Sequence, residues 1–111
     1  MKALTRLIFV DDNNEKFFGE GPYRLLRGIE ETGSLRATAM QMGMSYSKAF
    51  KLVANAEKEL GIQFTMRVVG GKAGGGSTLT EEGREWLSKY EKYRDACLKE
   101  NDRLYHEFFG G

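Results

Sequence analysis

The apolar positions of this chain change period along its length, and each change marks an element. Ala3 to Val10 is rich in Leu, Ile, Phe and Val, Asp11-Asp12-Asn13-Asn14 is turn chemistry, and Glu15-Lys16-Phe17-Phe18 follows as a second short run, so residues 1–18 read as a hairpin. Past Gly21-Pro22 the spacing becomes three and four: Leu25, Leu26 and Ile29 mark a helix that Thr32-Gly33 stops. Ser34 caps a second helix, from Leu35 to about Met42. A third begins at Ser45 and stops at Gly61, with Ala49, Phe50, Val53, Ala56 and Leu60 on one face toward a core, and Ser47, Lys48, Lys51, Asn55 and Lys58 on the other. Phe64 to Val69 then reads as a strand, Gly70 to Gly76 as a glycine-rich loop, and Ser77-Thr78-Leu79 as the returning strand. Thr80 caps a last helix, with Glu81 and Glu82 in its first turn, that runs to about Phe108.

Within this pattern Gly33 to Val53 forms a helix-turn-helix: small Ala39 where two helices meet, Gly43 where the chain turns, Ser45 where the second helix is capped. Three helices followed by a hairpin make a winged helix. The predicted class is therefore mainly α (α+β), a single winged-helix domain over 1–111 with a hairpin at 1–18, three helices at 22–61 holding the helix-turn-helix at 34–60, a wing at 63–79 and a long helix at 80–108.

Charge turns this scaffold toward nucleic acid. The net charge is only +1, but it is unevenly spread: residues 1–44 are neutral, 45–80 carry +3 and 81–111 carry −2. The excess falls on the second helix of the motif and the wing, where double-stranded DNA would be met. In a helix-turn-helix that second helix enters the major groove, so Ser45, Tyr46, Ser47, Lys48, Lys51 and Asn55 are the candidates for base and phosphate contacts. Ser34 and Arg36 open the preceding helix, whose free amides suit a phosphate. In the wing, Arg67, Lys72, Ser77 and Thr78 are placed to touch backbone or minor groove.

Other chemistries find little support. The glycine-rich loop lacks the Gly-Lys-Ser/Thr that opens a helix in a P-loop, since Ala73 follows Lys72. A lone Cys97 and a lone His106 give no zinc set, the acidic pairs Glu30-Glu31 and Glu81-Glu82 diverge on their helices, and Met40, Met42, Met44 and Met66 read as core filler. No enzyme activity, metal or cofactor is expected. Arg6 and Asp11-Asp12 spoil a signal peptide at the N-terminus, and no apolar run nears the ~20 residues of a membrane span, so the expected location is the cytoplasm.

The last helix carries Trp86, Tyr90, Tyr93, Cys97 and Leu104 in an a/d pattern, with Phe108 one residue out of register. These six residues are expected to form a dimerisation seam, because a helix of about 40 Å outruns a three-helix body. The alternative is that the helix folds back over its own N-terminal hairpin. A protein-interaction module on the same scaffold is the alternative to DNA binding.

Leu25 to Leu35, Gly43-Met-Ser-Tyr-Ser-Lys-Ala-Phe50, Gly70 to Gly76 and Leu79-Thr-Glu-Glu-Gly83 together resemble the N-terminal DNA-binding domain of the molybdate-responsive ModE regulators, itself similar to the LysR-type winged helix. The resemblance covers nearly the whole chain. It implies a homodimer on an inverted-repeat operator, for genes of molybdate transport or molybdoenzymes, with Ser45, Tyr46, Ser47 and Lys48 at the matching recognition positions. Relatives often carry Trp where this chain has Phe50, a change compatible with a core role. The family's oxyanion-binding domains have no counterpart in these residues, so no ligand residue follows, and a direct molybdate response would have to use amides of the wing.

Overall fold

The computed structural model describes residues 1–69 and 76–110. The order is β1 (Phe9–Val10), β2 (Lys16–Phe18), α1 (Glu20–Thr32), α2 (Leu35–Gln41), α3 (Tyr46–Leu60), β3 (Thr65–Val68), β4 (Gly76–Leu79) and α4 (Glu81–Phe109). Two antiparallel pairs, β1 with β2 and β3 with β4, flank the helices, which is the winged-helix arrangement. The tip expected between β3 and β4, with Lys72, lies outside the described residues.

Local chemistry fixes the corners. The Asp11 carboxylate accepts from the amides of Asn13 (2.8 Å) and Glu15 (3.0 Å), closing the first hairpin, and Asn14 takes a left-handed φ of 62°. Between α2 and α3 the Met44 amide donates to the Ala39 carbonyl (2.9 Å), and Gly43 absorbs the reversal at φ 68°. Ser34 and Ser45 cap their helices as expected, accepting from Ala37 and Lys48 amides at 3.0 and 3.1 Å. Gly76 is glycine for want of room: a Cβ there would run into the Gly33 carbonyl, to which the Ser77 amide donates at 2.8 Å. That bond ties the wing to the α1–α2 corner.

The core gathers Phe18, Leu25, Leu26, Ile29, Ala39, Ala49, Val53, Ala56, Phe64, Leu79, Leu87 and Tyr90. Its centre is aromatic: Phe18 stacks on Phe64 at 6.2 Å and meets Trp86 and Tyr90 edge-on at 4.5 and 5.0 Å. Tyr90 is 2% exposed, and burial pushes its phenol above the usual range.

Expectations for the methionines, the N-terminus and α4 need correction: Met40 and Met66, read as core filler, are 74% and 48% exposed. Strand structure is confined to Phe9–Val10 rather than beginning near Ala3. Residues 1–8 instead run beside α4, where the Asn101 side-chain amide donates to the Ala3 carbonyl (3.2 Å) and the Tyr105 hydroxyl to that of Met1 (2.7 Å). Trp86 and Tyr90 were expected on a dimer seam, but they pack into the chain's own core, because Phe9 and Phe18 of the hairpin fold onto them. The residues that α4 turns inward are Gly83, Trp86, Leu87, Tyr90, Glu91, Arg94, Cys97, Asn101 and Tyr105. At about 100° per residue the centre of this face lies roughly a sixth of a turn from that of the expected seam, and the two share Trp86, Tyr90 and Cys97.

An ionic clamp fixes where α4 leaves α1. The Arg27 guanidinium donates to Glu91 (2.7 Å), Glu30 (2.8 Å) and Ser88 (3.3 Å). The Tyr23 hydroxyl and the Arg27 guanidinium hold the Glu91 carboxyl below its usual range. A carboxylate with a lowered pKa contributes stability above its unfolded value of about 4.3, and that contribution fades as the pH falls through the folded value. Glu91→Gln is therefore expected to cost about 0.5–1 kcal/mol at neutral pH, a modest figure because solvent reaches a third of this side chain. Denaturant titrations should show the gap to wild type closing below about pH 4. A gap that persists or widens in acid would reject the clamp.

Candidate nucleic-acid interface

The inward stripe of α3 is Ala49, Val53 and Ala56, all at most 5% exposed. Ser45, Tyr46, Ser47, Lys48, Lys51 and Asn55 are all exposed; Ser47, Lys48, Lys51 and Asn55 lie on the side of α3 away from that stripe, and Ser45 and Tyr46 at its N-terminal end. Ser45 uses its oxygen as an acceptor for the helix cap, which leaves its O–H free to donate. Ser34 does the same at α2 but is half-buried. Arg36, exposed on the first turn of α2, lays its guanidinium 4.2 Å above the Tyr46 ring, joining the N-terminal ends of α2 and α3.

Among the described residues, ion pairing engages arginines of α1 and α4 and none of the lysines. The ion pairs among the described residues lie on α1 and α4, where Arg24, Arg27, Arg84, Arg94 and Arg103 meet Glu or Asp. Among those residues neither Lys48 nor Lys51 has a carboxylate within 4.0 Å. The charges of Lys48 and Lys51 are thus presented rather than neutralised among the described residues.

The wing candidates divide. Arg67 pairs directly with Ser77, so the two share a face of the β3–β4 ribbon, whereas Thr78 pairs with Met66 on the other face. Arg67 is exposed, and Ser77 and Thr78 are half-buried.

Sequence reasoning missed Phe50. Expected in the core, it is 55% exposed, with its ring 6.2 Å from that of Tyr46. The signal was present: Ala49, Val53, Ala56 and Leu60 complete the three-and-four spacing without it, and Phe50 sits roughly 95° around the helix from the centre of that stripe. On α4, Tyr93, Leu104 and Phe108 of the expected seam remain 53%, 38% and 73% exposed, Cys97 is half-buried, and Leu98 and Phe109 add apolar surface that the heptad pattern did not pick out.

Known proteins match this arrangement. "Molybdenum transport protein ModE" of Azotobacter vinelandii is 33% identical over 92 residues, covering 79% of this chain and 34% of that protein. "Molybdenum-pterin-binding protein MopB" of Rhodobacter capsulatus is 38% identical over 66 residues, covering 60% and 24%. The ModE of Herbaspirillum seropedicae is 34% identical over 95 residues, covering 86% and 34%. The chain thus spans about a third of the length of the two ModE proteins and about a quarter of that of MopB. The family described as "Bacterial regulatory helix-turn-helix protein, lysR family" matches residues 23–84, from α1 through the start of α4 and so across the whole helix-turn-helix and wing. By that match, which takes in more than half of its residues, the chain belongs to the LysR family of bacterial regulatory helix-turn-helix proteins.

Proposed function

We propose that this DNA-binding regulator reads an inverted-repeat operator as a homodimer, with α3 in the major groove and the wing on the backbone. The observation that carries the reading is the α3 surface: Lys48 and Lys51 unpaired among the described residues, beside Ser47 and Asn55, on a helix capped at Ser45 and backed by α2. Lysine suits guanine or phosphate, and asparagine suits adenine. Arg36 has donors to spare for a phosphate beside its contact with Tyr46. The molybdenum named for the relatives makes genes of molybdenum handling the first targets to try.

Selection from a random duplex pool tests this. An enriched inverted repeat, bound at physiological salt in the presence of excess random DNA, is the expected result. Weak binding that salt abolishes and random DNA competes away would make the fold a scaffold for protein contacts instead.

For the dimer, Tyr93, Cys97, Leu104 and Phe108 form the stripe that survives on α4. A two-fold interface would bury each of these twice. Burying a large apolar side chain contributes about 1.5–3 kcal/mol, so Leu104→Glu with Phe108→Glu is expected to raise the dimer dissociation constant at least about a hundredfold. Both residues are exposed in the monomer, and the fold should survive the change. Sedimentation velocity checks this, and a variant that sediments as wild type across the concentration range would remove the stripe from the interface.

A further inference from the structure

Phe50 is the apolar member of a surface otherwise made for a polyanion. Its exposed neighbours on α3 are Tyr46 and Ser47, and the polar arc continues from Ser47 to Lys51 and Asn55, about 100° and 140° round the helix from it. Tyr46, one turn earlier, is 40% exposed and carries the Arg36 guanidinium over its ring, whereas Phe50 is 55% exposed. An exposed aromatic ring on a cationic, groove-facing helix calls for an apolar complement that occurs inside a polyanion. In the major groove that complement is the C5-methyl of thymine, which each A·T pair displays beside its hydrogen-bonding groups.

We infer that Phe50 is a specificity residue that packs against a thymine methyl, so that the chain requires thymine at a defined position of each half-site. The inference rests on the DNA-binding reading above. Tyr46 holds the adjoining flank of α3 at the edge of the groove, because its ring is pinned between Arg36 and Phe50 at 4.2 and 6.2 Å. Phe50 then meets the groove floor about one helical turn in from the N-terminus of α3, beside Lys51.

The test uses the whole chain and the sites enriched from a random duplex pool. Each thymine of the half-site is replaced in turn by uracil, which removes the methyl and leaves the pairing edge intact. Dissociation constants are then measured for wild type, Phe50→Ala and Phe50→Leu. One replacement is expected to weaken wild-type binding about fourfold, the effect of leaving about one buried methyl-sized group unpacked. In Phe50→Ala the same replacement should have no effect, and the pool selected by that variant should lose its thymine preference there. Phe50→Leu, which keeps an apolar side chain, should retain the preference.

Uracil tolerated at every position by wild type, or a uracil penalty that persists in Phe50→Ala, overturns the thymine contact while leaving specific DNA binding intact. A pool that enriches no sequence at all overturns both that reading and this one. Because Phe50 is exposed, its variants should melt with wild type, and thermal melts run alongside separate lost contact from lost fold.

Discussion

Replacing Phe18 by Ala should cost about 3–5 kcal/mol of folding stability, the range for emptying a buried phenylalanine site. Phe18 is fully buried where the hairpin, α3, β3 and α4 converge, and its ring meets Phe9, Phe64, Trp86 and Tyr90. The rings around it pack on one another, which limits how far the site can collapse. For a domain near this size each kcal/mol moves the melting midpoint by about 4 °C or more, so a drop of at least about 12 °C is expected. Far-UV circular dichroism gives the midpoint. The single Trp86, 4.5 Å from Phe18, gives an independent fluorescence signal from the same site. Phe17→Ala, at a half-buried position beside it, should cost clearly less. Equal losses at the two positions, or a loss at Phe18 below about 1 kcal/mol, would mean that the hairpin does not anchor the core.

That aromatic junction explains which parts of the fold could be read from the chain alone. Elements set by local rules were legible: Ser34, Ser45 and Thr80 cap their helices, and Gly33 and Gly61 end theirs in the left-handed region. The role of α4 was not, because it depends on a partner distant in sequence. Trp86 and Tyr90 satisfy a coiled-coil spacing as well as they satisfy a core, and only the return of Phe9 and Phe18 decides between the two. Residues 1–8 were misread for a related reason. Their apolar content suits a strand, but their carbonyls find Asn101 and Tyr105 on α4, about 100 positions away. The recognition surface was legible in its polar residues, since Lys48, Lys51 and Asn55 stand out against the Ala49, Val53 and Ala56 stripe. Phe50 escaped because an aromatic residue next to a core position is assigned to the core by composition, while its helical angle places it outside.

The same surface makes the strongest functional prediction. Lys48→Ala combined with Lys51→Ala should weaken duplex binding and flatten its salt dependence, because each phosphate neutralised by a lysine contributes about 0.9 to the slope of log K against log salt. Two lost contacts lower that slope by about 1.8, so a fourfold rise in salt should cost the variant about twelvefold less affinity than it costs wild type. If either lysine reads guanine rather than phosphate, the slope falls by less and the preference at one base pair relaxes, a loss of about 1–3 kcal/mol of discrimination. Both readings place the ammonium groups on the DNA, and the two measurements together apportion them. Removing any two positive charges would also lower affinity somewhat through the overall field. The control is therefore Lys89→Ala with Lys92→Ala, an equally exposed pair on α4 and outside the recognition surface. Anisotropy titrations at three or more salt concentrations should show that pair shifting affinity slightly at unchanged slope. Equal losses from the two pairs, or an unchanged slope and affinity for the α3 pair, would move the DNA off α3.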